Sequence, residues 1–507
     1  WVGATVTELQ AMPEVTLLIR TTATGYYDHN YLTLLERVTD HLGTAPDHLP
    51  RQRLWKIRAK RVVLAAGAIE RPLVFANNDR PGIMLASAAR TYMNRFAVTP
   101  GRRVLVLTNN DDAYRTALAM HAQGVRIAGL VDLRAQPKGP LVAAVAAAGI
   151  AVHPGQAVVA TRGALRVSSV EIMKLTADGA GVTGSARKIE CDAVAMSGGW
   201  TPTVHMFSQS GGKLRWSEDV SAFVPDLSVQ AETSVGSCNG AVSLVKCLKQ
   251  GLKAGIEAAR AAGYKGRVTA APNVGEPPQS DRRDLWVVPG KKPLGHAGKH
   301  FVDFQNDVTA ADVHLAAREG YQSIEHLKRY TTMGMGTDQG KTSNINALAI
   351  MGEVLGANVP GADVSRVGHT TFRPPYTPAT IGAYAGRNIG AFFDPVRTTA
   401  MDSWHREAGA KFEHVGQWMR AWYYPKPGES LRQAVDREVK AARDGVGILD
   451  ATTLGKIDIQ GPDAAEFLNR VYTNAWLKLA PGRARYGLML KEDGMVMDDG
   501  VTARLSE

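Results

Sequence analysis

GRRVLVLTNNDDAYRTALAMHAQGVRIAGLVDL, residues 101–133, sets two branched-aliphatic runs on either side of a helix-like stretch, and so predicts a strand–helix–strand unit. Such a unit belongs to a parallel sheet with helices packed on its faces, because parallel strands need a crossover and a crossover needs room. In a nucleotide-binding version the first turn reads GxGxxG, whose glycines admit a pyrophosphate to the helix N-terminus. Here the turn is Thr108-Asn109-Asn110-Asp111-Asp112. Two carboxylates at that mouth repel phosphate, so the unit reads as a retained α/β fold with a lost or altered phosphate site.

Working outward, the insert near 101–160 is flanked by RVVLAAGAIERP (61–72) and CDAVAMSGGWTP (191–202). Each is expected to be a buried strand that opens onto small residues, Ala65, Ala66 and Gly67 in the first and Gly198 and Gly199 in the second. Glycine and alanine there remove the side chains that would collide with a bulky flat ligand. Residues 1–275 alternate strand and helix signals throughout. A stretch rich in Pro, Gly and charge follows (272–299) and predicts a boundary. Next, TAADVHLAAREG (309–320) predicts a helix capped by Thr309 with Asp312 at the third position, and Ser323 caps a second one through Tyr330. From about 386 the chain gives helix-like VGQWMRAWYY (415–424) and SLRQAVDREVKAAR (430–443), then strand-like IDIQ (457–460) and YGLMLKEDG, an α+β mixture.

Composition narrows the partners. With 507 residues, 45% hydrophobic and 21% charged, the chain is long and apolar enough for about three or four folded domains. The net charge is +11, yet the basic residues are dispersed and lack any zinc-finger, RNP or basic-helix pattern, so no nucleic-acid partner is expected. The densest cluster, RQRLWKIRAKR (51–61), alternates with period two and reads as a half-exposed strand. There is no apolar run of about 18 residues and no signal peptide, so neither a membrane span nor export is expected, and a cytoplasmic location is. Three cysteines, Cys191, Cys238 and Cys247, form no CxxC pair and read as core residues. His405 and His414 stand nine apart without a HExxH core, so no metal site is expected. The chain opens on Trp1 and stops at RLSE after a strand-like run, which reads as a segment of a longer polypeptide.

These motifs carry family resemblances. VVLAAGA and AVAMSGGWTP flanking an inserted strand–helix–strand unit resemble the flavoproteins with two dinucleotide-binding domains. That resemblance implies a third element ending in Gly-Asp, whose carboxylate holds the ribityl chain of FAD. The matching stretch is TSVGSCNGA (233–241), with Gly236 followed by Ser237 in place of Asp, which suits NAD, a dinucleotide without a ribityl chain. KHFVDFQNDVT…GMGTDQGKTSN (299–344) resembles the small helical bacterioferritin-associated-ferredoxin-like domain, in which four cysteines hold a [2Fe-2S] cluster. Here the four thiolate positions are Asp303, Gln305, Asp338 and Ser343, so no iron–sulfur cluster is expected. DGVGILDATTLGKIDIQGPDAAEFLNR and GRARYGLMLKEDGMVMDD resemble the folate-binding aminomethyltransferases. By motif position Asp498 or Asp499, in the final turn, would serve tetrahydrofolate by accepting a proton from its reacting amine.

The order of the modules is 1–275 dinucleotide-binding, 276–385 linker plus cluster-less ferredoxin-like, and 386–507 the first part of the folate-binding domain. That order resembles the α subunits of heterotetrameric sarcosine oxidases. The resemblance implies oxidative demethylation of sarcosine with oxygen and tetrahydrofolate, giving glycine, hydrogen peroxide and 5,10-methylenetetrahydrofolate. It also implies NAD on this chain, FMN at the contact with the β subunit, FAD on the β subunit itself, and γ and δ subunits as further partners. Two other readings stay open: a subunit of an opine or amino-acid dehydrogenase, and a structural subunit that retains no ligand.

Overall fold

The computed structural model describes residues 1–265, 270–275, 281–296, 298–358 and 364–506. They form a mixed α/β chain of two compact units, Trp1–Tyr384 and Ala385–Glu507. The described residues between 281 and Tyr384 belong to the same unit as those before them.

The strand–helix–strand unit is built as expected, from the strand Arg103–Thr108, the helix Asp112–Ala122 and the strand Arg126–Asp132. It sits in a five-stranded parallel sheet whose order is Ile83–Leu85, Ala193–Ser197, Arg103–Thr108, Arg126–Asp132, Val152–Pro154. Alternation along one strand divides two cores. Val104 and Val106 face the helices with Ala113, Ala117 and Met120, whereas Leu105 and Leu107 face a three-stranded antiparallel sheet through Val158, Val170 and Ile172. All of these side chains are buried.

The two flanking runs behave differently. Ala193–Ser197 is buried at every position. Val62–Leu64 is not: among the described residues it pairs only with Glu232–Ser234, and its side chains are half-buried or exposed. The expectation of two equally buried strands is therefore corrected, because the first lies in a two-stranded ribbon and the second at the heart of a five-stranded sheet. An antiparallel ladder, Ala68–Glu70 against Trp200–Pro202, connects the two runs. The charged stretch after 280 is no loose linker. Val288 is buried in the core under the antiparallel sheet, with Leu285 packed beside it.

Residues 301–358 supply a second core around Val302, Val313, Leu327, Ile345 and Leu348. Its helix Ala310–Arg318 carries the predicted capping box between Thr309 and Asp312, but Ser323 makes no side-chain bond to the helix Ile324–Thr331. In the second unit, the helix read at 415–424 is a strand, Trp418–Tyr423, paired with Lys411–Val415 across Gly416 at φ +58°. A glycine turn between aromatic and β-branched residues specifies a hairpin more strongly than apolar spacing specifies a helix. IDIQ forms no strand, while the helix Leu431–Asp444 and the hairpin Ala484–Leu490/Val496–Ala503 do form.

Candidate functional site

Two strand mouths could receive a dinucleotide, and their contents differ. At the end of Arg103–Thr108 the turn is filled by its own side chains. Asn109 Nδ2 donates to the carbonyls of Arg283 (3.0 Å) and Gly198 (3.3 Å), and Asn110 Nδ2 donates to Ser197 Oγ at 3.1 Å. Arg134 bridges the carboxylates on either side: its Nη1 lies 2.7 Å from Asp111 Oδ1 and its Nη2 donates to Asp132 Oδ2 at 2.7 Å. Tyr114 OH donates to the same Asp132 oxygen at 2.8 Å, and Asp132 is fully buried. Burial works against the Arg134 charge, but the hydrogen bonds and charges of Asp132 and Asp111 overcome it and hold the guanidinium above its ordinary pKa.

The glycines of this mouth, Gly198 and Gly199, are required by neighbouring chain. Gly198 N donates to Arg71 O and Arg71 N to Gly199 O, both at 2.8 Å. A Cβ on Gly198 would stand 3.0 Å from Pro72 O, and one on Gly199, at φ +102°, 2.8 Å from Arg71 Nη2. With two carboxylates at the helix start and the turn tied to Ser197, Gly198 and Arg283, these residues do not fit a pyrophosphate.

The other mouth is open. Ala65, Ala66 and Gly67 follow Val62–Leu64, and Gly236 and Ser237 follow the paired strand, so the two loops lie side by side; Val235 N donates to Leu64 O at 2.8 Å. Ala65 and Ala66 are exposed. Gly67 has φ +74° and nothing within 4 Å of where a Cβ would be. Gly236, at φ +72°, has Cys247 Sγ as its nearest neighbour at 3.7 Å, and Ser237 Oγ lies 3.9 Å from the same sulfur. Bare backbone with open space in front of it fits the close approach of an extended or flat ligand.

The loop 334–344 uses its polar residues on itself. Asp303 is buried, and its carboxylate accepts from the backbone N–H of Gln305 (2.8 Å), Asn306 (3.1 Å) and Gly334 (2.7 Å), with Ser343 Oγ at 3.4 Å. Asp338 accepts from Gly340 N at 3.0 Å, and Gln305 Oε1 accepts from Thr337 Oγ1 at 3.3 Å. Oxygen and amide groups committed in this way, with no thiolate or imidazole among the four positions, do not fit an iron–sulfur cluster. Among the described residues no group of three or more His, Cys, Asp or Glu could hold a metal ion.

In the second unit, Asp498 and Asp499 lie on the strand Val496–Ala503, opposite Met489 and Leu488, rather than in the turn, which closes at 491–495. Both are exposed; Tyr486 OH donates to Asp499, and that hydrogen bond raises the phenol's pKa. Sequence reasoning missed a buried group nearby in the chain. His405 bonds Tyr424 OH through Nδ1 (2.6 Å) and Asp450 through Nε2 (2.9 Å). Asp450 is held below the usual carboxylate range by hydrogen bonds from Thr452, His405 and Thr399. Its place within GILD was the available signal.

A sequence model of the sarcosine oxidase A3 domain matches residues 297–387, and one of the GCVT N-terminal domain matches 401–507. The chain is 46% identical over 513 residues to sarcosine oxidase subunit alpha of Corynebacterium sp. (strain P-1), covering 100% of this chain and 52% of that subunit. It is 43% identical over 503 residues to the subunit of the same name from Rhizobium meliloti (strain 1021), covering 99% and 48%. Among solved structures, L-proline dehydrogenase from P. horikoshii shares the fold over 76% of this chain and 68% of that one, with a TM-score of 0.52 and 21% identity. The chain is a homologue of the sarcosine oxidase alpha subunits along its whole length, and spans about half the length of those curated relatives.

Proposed function

We propose that this homologue of the sarcosine oxidase alpha subunits works as the α subunit of a cytoplasmic, multisubunit sarcosine oxidase. The assembly would oxidise sarcosine with oxygen and pass the released one-carbon unit to tetrahydrofolate, giving glycine, hydrogen peroxide and 5,10-methylenetetrahydrofolate. The observation that carries the reading is 43–46% identity, over essentially the entire chain, to subunits of that name. FAD belongs to the β subunit and FMN to its contact with this chain, with γ and δ completing the particle. The flavins supply the two-electron oxidation of the N-methyl carbon.

This chain's own residues do two things. Ala65, Ala66, Gly67, Gly236 and Ser237 hold NAD, a reading supported by the exposure of Ala65 and Ala66 and the open space before Gly67. Asp498 and Asp499 serve the folate side. A carboxylate beside a weakly basic amine accepts its proton as the new C–N bond forms. Tyr486 donates to Asp499 and orients it, which leaves the neighbouring Asp498 to meet the substrate. The homology of 401–507 to the GCVT N-terminal domain supports this placement.

The test is the product ratio of the purified enzyme. Asp498→Ala is expected to lower methylenetetrahydrofolate yield by about 100-fold, a general-base magnitude, while peroxide formation persists. Asp499→Ala is expected to lower it less. Unchanged yield in both variants removes the folate assignment.

A further inference from the structure

Within the first unit a cavity of about 50 Å³ lies between the strand end Thr201–Val204 and the start of the helix Asn344–Asn358. Most of its wall is apolar, including Ile69, Val204, Leu348 and Phe372, and no Asp or Glu among the described residues lines it. Two of its polar groups are unspent among the described residues. Thr201 and Thr203 both line the cavity, and both hydroxyls are buried with no hydrogen-bond partner among the described residues.

Lys341 is the cation of this wall, and it comes from the loop GMGTDQGKTSN (334–344). Its Nζ donates to the carbonyls of Tyr376 (2.8 Å) and Asp338 (3.2 Å) and lies 4.0 Å from the Tyr376 ring centroid. Those partners are neutral carbonyls and a phenol ring. Burial lowers the Lys341 pKa, with the charge of Asp338 acting against that. Tyr376 itself is fixed by stacking on His205, ring centroids 3.6 Å apart.

A partly desolvated ammonium and two orphan hydroxyls around an apolar hollow lack one thing, an anionic acceptor. At about 10–15 Å³ of such space per water-sized group, the cavity holds about three to five non-hydrogen atoms. A carboxylate suits this better than phosphate, because it has two oxygens for the ammonium and the hydroxyls and an apolar remainder for the Phe372 side. We propose that this cavity binds a small monocarboxylate, of acetate or glycine size, with Lys341 Nζ as counter-charge and the Thr201 and Thr203 hydroxyls as donors. The inference uses only residues 69–376 and does not rest on the proposed oxidase activity.

The test is equilibrium dialysis of the purified full-length protein, with any subunits that co-purify, against ¹⁴C-labelled acetate and, separately, glycine. Saturable binding of one equivalent per chain is expected, with the two probes telling a simple acid from an amino acid. Lys341→Met is expected to weaken it at least 10-fold and Thr203→Val several-fold, with unchanged far-UV circular dichroism in both. Absence of saturable binding of either probe would overturn the proposal. So would equal binding in both variants, or displacement of acetate by equimolar phosphate.

Discussion

The mouth at 108–112, beside Gly198 and Gly199, and the mouth at 65–67 both lie at strand ends next to glycine, yet one is closed by its own side chains and the other stands open. At the first, Asn109, Asn110, Asp111 and Arg134 tie the turn to Ser197, Gly198, Arg283 and Asp132. At the second, Gly67 faces empty space. Glycine at a strand end therefore marks two different needs. Gly198 and Gly199 admit the backbone of Arg71 and Pro72, whereas Gly67 keeps a surface bare.

The contrast is sharpest at Arg134. Arg134→Met leaves Asp111 and the fully buried Asp132 facing each other without a cation, and is expected to destabilise the first unit by about 3–5 kcal/mol. Adding Asp132→Asn should return part of that loss. Denaturant unfolding measures both, and an unchanged midpoint for Arg134→Met breaks the picture of a self-filled mouth.

Gly198→Ala comes next. Its Cβ would press on Pro72 O and Arg71 O at 3.0 and 3.1 Å within a hydrogen-bonded ladder, so a loss of about 1–3 kcal/mol is expected. Ligand content should not change. Loss of ligand without loss of stability would mean that Gly198 makes room for a dinucleotide after all.

A pH-dependent effect concerns the ladder that joins the mouths, which leads into His205. Burial, helped by the charge of Lys341, pushes the His205 pKa down to about 3. The unfolded chain, with an ordinary imidazole near 6.5, binds more protons than the folded one between these values, so stability falls as pH drops through that window. The slope approaches about 1.4 kcal/mol per pH unit for this group. His205→Gln should flatten that part of a stability-against-pH curve, and an unaltered curve removes His205 as its source.

Much of the fold was legible in the sequence. The strand–helix–strand unit at 101–133 and the capping box at Thr309 follow local rules that the tertiary structure does not override. The strand at Trp418–Tyr423 was misread because aromatic residues at helical spacing also alternate, and the Gly416 turn decides between the two. The site was legible only in part. Two acidic residues after Thr108 signalled a hostile phosphate site, but nothing local announced that Arg134 would pair with Asp111, since it comes from just past the end of the next strand. Likewise the substitution of the four thiolate positions was visible, while the role of Asp303 as acceptor for three backbone N–H groups depends on where Gly334 returns to it.

The smallest structural effect gives the most direct test of the central claim. Ala66 is exposed, so Ala66→Trp should change stability by no more than about 0.5 kcal/mol while filling the space before the open mouth. Mass spectrometry of ligand released from the purified protein, with Gly198→Ala alongside, compares the two mouths in one experiment. The account predicts NAD at one equivalent per chain in the parent and in Gly198→Ala, and at least 10-fold less in Ala66→Trp. Full NAD content in Ala66→Trp with loss in Gly198→Ala would contradict it.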